Sequence, residues 1–174
     1  MTLLLAPVLP AAESAPAARP IPLAVDFAPA AAANMQRYGE AERTRLQSAI
    51  VSAVSRESAC STVPAGLAVT VTVDNVAPTR PTAKQLSDDP SLDVVRTRYL
   101  GGAELTAEVR DASRRVVANV TYRYFPQTLA LGSVSRDPWA DARLAIEGFA
   151  ARLAVACRDL TIHGGSPSAD SAPG

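Results

Sequence analysis

The sequence predicts an α+β fold, a two-layer sandwich in the order β-α-β-β-β-α with a mainly antiparallel sheet and two helices on one of its faces. Three observations predict it. Leu67, Val69, Val71 and Val73 alternate with Ala68, Thr70, Thr72 and Asp74 in a strict period of two, in residue types that favour strands. Two more alternating runs flank the turn sequence Asp111-Ala112-Ser113-Arg114. From Asp137 to Leu160 apolar residues recur at helical spacing.

The elements follow in chain order. Thr2 to Leu9 is an apolar run followed by Ala11, Ala12, Ser14 and Ala15, which reads as a signal-like segment, too short to span a bilayer. The competing reading is an Ala/Pro tail, since no Lys or Arg precedes the run. Residues 10–20 are rich in Ala and Pro and read as a linker, so the segment 1–20 is set apart from a single domain at 21–161. No cysteine follows the apolar run before Cys60, which leaves a lipid anchor unsupported.

Leu23, Val25 and Phe27 predict a short first strand closed by Pro29. A helix follows from Gly39: Glu40 and Glu42 suit its first turn, and Leu46, Ile50, Ala53 and Val54 form its buried stripe, with an end near Ser55 to Cys60. Whether Ala30 to Tyr38 extends this helix is left open by Gly39. After the strand at 67–74 comes a long connection, Val76 to Gly102. It leads to the hairpin strands Ala103–Arg110 and Val116–Tyr124, the second expected to turn Val116, Ala118, Val120, Tyr122 and Tyr124 inward. Each strand then has one apolar and one polar face, as in an antiparallel sheet that buries a single side.

The last helix has the clearest start, with Asp137 as N-cap and Pro138 in the first helical position. Ala142, Ile146, Phe149, Leu153, Ala156 and Leu160 give it a core stripe, and Arg143 and Glu147 are expected to pair on the wet side. Trp139 is expected to close the core edge rather than to stand out as a binding anchor. Residues 162–174 read as a disordered tail. With strands and helices in this order both helices run the same way, which brings their C-terminal cysteines to one end of the sheet. In an exported chain with two cysteines, Cys60 and Cys157 are therefore expected to form a disulfide.

Composition narrows the functional classes. Seventeen basic residues balance seventeen acidic ones, so no overall field draws the chain to nucleic acid or to anionic lipid. Lys84 is the only lysine, a bias that fits a GC-rich bacterial genome better than selection for phosphate chemistry. His163, the only histidine, falls in the predicted tail, which leaves no Ser-His-Asp, Cys-His or histidine-metal constellation. Gly101-Gly102 opens a strand and is not a phosphate loop. No cofactor is expected. Asn119-Val120-Thr121 matches a glycosylation triplet, but in mid-strand of a bacterial chain it reads as coincidence.

The segments 101–112 and 137–150, Gly-Gly-Ala-Glu-Leu-Thr-Ala-Glu-Val-Arg-Asp-Ala and Asp-Pro-Trp-Ala-Asp-Ala-Arg-Leu-Ala-Ile-Glu-Gly-Phe-Ala, with the strand between them, resemble a family of bacterial periplasmic, lipoprotein-like envelope domains of unknown function. The resemblance covers about the last third of the chain and rests on packing and turn positions. It implies a periplasmic, non-enzymatic domain of the assembly-factor kind and carries over no catalytic residue.

The expected function is a periplasmic or secreted binding module that contacts an envelope protein or a small ligand. The alternative is a small hydrolase or ligand carrier with a site between helices and sheet. The long connection is the expected contact surface, because connections of this length in compact domains are often functional. Within it Thr79, Arg80, Pro81 and Thr82 are stiffened by proline, so that Arg80 is held ready for a carboxylate or phosphate. Arg96 and Arg98 share a face if the chain there is extended, and Gly101 and Gly102 permit a close backbone approach. The competing reading pairs these arginines with Asp88, Asp89 and Asp93 on a plain surface.

Overall fold

In a computed structural model, which describes residues 21–57, 66–129 and 135–163, the alternating segments become one open four-stranded sheet. The elements are β1 (Leu23–Phe27), α1 (Pro29–Tyr38), α2 (Glu40–Arg56), β2 (Ala68–Ala77), α3 (Ala83–Asp88), β3 (Gly102–Arg110), β4 (Val116–Tyr124) and α4 (Ala140–His163). The strands lie in the order β1-β2-β3-β4. β1 is parallel to β2, and the other two pairings are antiparallel.

The α+β class is therefore as expected, while the sheet is mixed and the helices number four among the described residues, not two. Both extra helices have local causes. Gly39 has φ 107°, a conformation natural to glycine, and it ends α1 while opening α2, so Ala30–Tyr38 is a helix of its own. α3 starts at Thr82, whose hydroxyl accepts from the Gln85 amide while the Gln85 side chain accepts from the Thr82 amide, a reciprocal capping box. α3 is six residues long and buries none of them, so it leaves no apolar period to read.

The inner face of the sheet supplies Val69, Val71, Val73, Leu105, Ala107 and Val109, all buried. Leu46, Ile50, Ala53 and Val54 of α2 and Ala142, Ile146, Phe149 and Leu153 of α4 pack onto them, the stripes read from the sequence. Each fully buried Val, Leu, Ile or Phe among them contributes about 1.5–3 kcal/mol, and each alanine less. α4 continues to His163, past the expected boundary at 161.

Two sequence expectations are corrected. Val116 does not face the core. A bulge between Val109 and Arg110 sets Val116 opposite Arg110 and Ala118 opposite Val109, so the extra residue shifts Val116 to the outer face, where it is 45% exposed. Arg143 and Glu147 do not pair with each other. Arg143 bonds Asp137, and Glu147 reaches across to Arg56 of α2 at 2.6 Å, because partners outside the helix lie closer than the i,i+4 neighbour.

Asp137 holds the turn that leads into the last helix: its Oδ1 accepts from the Trp139 amide at 3.0 Å and its carbonyl from the Ala140 amide. The helix itself starts at Ala140, so Pro138 lies in that turn and not in the first helical position as expected. Cys157 is buried on the inner face of α4, whereas Cys60 lies outside the described residues, as do the segments 1–20 and 164–174. Among the described residues, no helix is long and apolar enough to cross a membrane.

Candidate functional site

The sheet has two ends, and the long connection lies at the one where β2 stops and β3 starts. Four polar residues fasten this end. Arg80 is 4% exposed, and its guanidinium donates from Nε to the Ser135 carbonyl (2.7 Å) and from Nη1 to the carbonyls of Val94 (3.1 Å) and Val95 (2.8 Å). One cation thus ties the connection to the segment entering α4. Trp139 is fully buried and donates its indole N–H to Glu42 Oε2 at 2.7 Å, and the edge of its ring system meets Tyr38 at a centroid distance of 5.5 Å. Glu42, buried on the first turn of α2, also accepts from Arg45. Thr82 donates its hydroxyl to the Tyr38 carbonyl. Every described buried side-chain nitrogen or oxygen has a partner.

Two glycines make the packing possible. A Cβ on Gly101 would lie 2.5 Å from Thr79 Oγ1 and 2.7 Å from the Thr79 amide nitrogen. Gly102 has φ 150°, and a Cβ there would run into the Tyr124 carbonyl and the Phe125 ring. The close backbone approach expected at this pair is what the structure has.

Above this framework lies a groove of about 210 Å³ lined by Thr79, Arg80, Arg98, Tyr124, Pro126, Thr128 and Asp141, with Leu100, Leu129 and Leu144 on its walls. The three leucines are 46%, 46% and 57% exposed. They give the groove three exposed apolar side chains beside its polar ones, the mixture found in surfaces that take up apolar side chains.

Of the expected binding residues, Thr79, Arg80 and Arg98 line this groove. Arg80, Pro81 and Thr82 are buried, with Arg80 turned to backbone carbonyls and Thr82 to Tyr38. Gly101 and Gly102 are buried spacers. Arg96 is apart from them, exposed in a turn where Asp93 Oδ1 accepts from the amides of Val95 and Arg96, so the segment is not extended and the two-residue spacing does not align Arg96 with Arg98. The paired-charge reading is met differently from its statement: Asp88 binds Lys84, Asp89 binds Ser91, and Asp93 caps its own turn.

Sequence reasoning missed Tyr124, Pro126, Thr128, Leu129, Asp141 and Leu144 as site residues. Leu144 had a signal, a large apolar residue off the core stripe of an amphipathic helix. Leu129 had none, because the groove exists only where the chain beyond β4 folds back toward β3.

The space between helices and sheet holds Phe149, Ile50, Leu105, Leu153 and Trp139, all at most 2% exposed. Asp88 and Asp89 flank a surface groove beside α3, but hydrogen bonds from the Ser91 hydroxyl and amide hold the Asp89 carboxyl below the usual carboxylate range, opposite to what a general acid requires. Among the described residues no group of three or more His, Cys, Asp or Glu could hold a metal. Comparison with protein-family models, with curated proteins and with solved structures gives no match.

Proposed function

We propose that this chain is an exported binding module of the bacterial envelope, and that it holds a partner protein by an apolar segment seated between Leu100, Leu129 and Leu144. The leucine rim carries the reading: three large exposed apolar residues from three separate parts of the chain surround one groove on a framework locked from below. A rigid scaffold under an apolar rim is how preorganised binding surfaces limit the entropy lost on association. The apolar leader-like run at 2–9 supports export, and the likeness of 101–150 to envelope domains of the lipoprotein-like kind supports the compartment.

The same reading includes the Cys60–Cys157 bridge. It is supported by the burial of Cys157 and by α2 ending at Arg56, four residues before Cys60, with Arg56 already bonded to α4. On the chain-entropy model a loop of this length contributes on the order of 4–5 kcal/mol. Thiol titration of oxidised, unfolded protein should find no reactive thiol; finding both would remove the bridge.

The groove is tested by cross-linking capture from the cognate envelope fraction. Wild type is compared with Leu129→Asp and Leu144→Asp, after thermal melts show that both variants stay folded. Capture should drop at least about tenfold in both, as for central apolar contacts. Equal capture by wild type and variants would exclude the groove as the contact surface.

A further inference from the structure

The sheet's two edges are unequally protected. β1 is five residues long, is bounded by Pro22 and Pro29, and carries Asp26, all of which discourage another strand. β4 is nine residues long and, among the described residues, pairs only with β3. From Ala118 to Tyr122 it has no charge, no proline and no glycine. Its Arg123 is turned to Glu104 on β3, at 3.7 Å, and lies over the Phe125 ring. Beside this edge a groove of about 380 Å³ separates Asn119, Val120 and Thr121 from the outward side of α4 at Arg152, Val155 and Asp159. That side of α4 also exposes Leu144 and Ile162, in line with Val155 along the helix, at 57%, 72% and 47%.

We infer that the β4 edge and the outward side of α4 together form a two-fold interface with a second copy of this chain. Three arguments select that occupant. The first is spacing. α4 packs on both β3 and β4, so its axis lies about half a strand spacing inside the edge. Joining two β4 edges at ~4.8 Å then sets the two α4 helices on the order of 10 Å apart, an ordinary helix-packing distance.

The second is charge. An axis through Val120, the middle of the groove's strand wall, sets Asn119 opposite Thr121 of the second copy and Ala118 opposite Tyr122, with no like charges facing. On the helices the same axis passes between Val155 and Ala156, the middle of the groove's helix wall. Arg152, which lies over the Tyr122 ring of its own chain, then faces Asp159 of the second copy with no like charges opposed. The third is coverage. A lone extended peptide on β4 would satisfy the strand edge but leave Val155 and Ile162 bare, whereas a second α4 covers them.

Sedimentation of the full chain over a wide concentration range should give twice the monomer mass. Val155→Glu, which brings two carboxylates together near the axis, should weaken the dimer at least about tenfold while the far-ultraviolet spectrum of the folded chain stays that of wild type. The melting temperature should fall only through the lost association, and so lose its dependence on concentration. Asn119→Cys protein mixed with Thr121→Cys protein should oxidise to a covalent dimer, and neither should do so alone; both positions are exposed, so the fold is not at issue. A monomer at every concentration overturns the inference. So does a dimer indifferent to Val155→Glu that gives no mixed cross-link, and so does a monomer whose β4 takes up only added extended peptides.

Discussion

The two ends of the sheet solve the same problem, how to leave a strand and return, with opposite means. At the hairpin end the chain turns within Asp111–Arg115, and the polar contacts of the turn are local and exposed. The Asp111 carboxylate accepts from the Ser113 hydroxyl at 2.6 Å and from the Arg115 amide and guanidinium at 3.0 Å. At the other end the return takes residues 78–101, and the polar contacts join distant segments through buried atoms: Arg80 to Ser135, Glu42 to Trp139, Thr82 to Tyr38. Local exposed contacts exchange easily with water, while a buried polar group left alone costs its full desolvation. The difference assigns the buried polar stabilisation to the long-connection end and leaves the turn Asp111–Arg115 itself nearly neutral to change.

The largest effect should come from Trp139→Ala, which empties a fully buried indole site and leaves Glu42 with Arg45 alone. About 3–5 kcal/mol should be lost in a urea titration. Trp139→Phe keeps most of the ring and removes the N–H, and should cost about 1–3 kcal/mol. A cost near zero would mean that the buried bond to Glu42 contributes nothing and would break the comparison.

Arg80→Met comes next. It frees three backbone carbonyls while keeping the stem packed, and a loss of about 3 kcal/mol is expected, with faster amide exchange across 93–97. Gly101→Ala should cost about 1–3 kcal/mol, since its Cβ meets Thr79 backbone that cannot move without disturbing the bond from Thr79 N–H to the Pro138 carbonyl.

At the hairpin end the effects should be small and one should be favourable. Arg114 has φ 65°, a left-handed conformation strained for a side chain. Arg114→Gly should therefore raise stability by about 0.5–1 kcal/mol, read as a higher melting temperature. A loss of stability there would show that the Arg114 side chain does more than occupy the turn.

The smallest expected effect is on pH. Hydrogen bonds from Ser113 first, then from Arg115, bring the Asp111 carboxyl down to about 2. A depressed carboxyl stabilises the fold above its unfolded value near ~4 and loses that contribution as the pH falls toward about 2. Asp111→Asn should flatten the stability–pH curve in that window; an unchanged curve would exclude the turn as its source.

What the sequence determined by itself is what depends on neighbours a few residues away. Period-two alternation placed β2, β3 and most of β4, and the helical stripes placed α2 and α4 with the core faces named above. Gly39 fixed the start of α2, and Asp137 and Pro138 marked the turn that leads into α4. Trp139 was legible as core because the entry to an amphipathic helix carries its ring toward the other layer.

Only the tertiary structure decided the rest. The bulge that turns Val116 outward adds one residue to a strand, which alternation cannot register. The proline-stiffened Arg80 reads from sequence as a cation presented to a ligand, and the fold spends it on carbonyls contributed from residues 94, 95 and 135. The leucine rim brings together residues 100, 129 and 144, far apart along the chain. A groove of that kind has no period and no motif, since its members share a location only after β3, β4 and α4 have packed, and packing is a property of the whole core rather than of any segment.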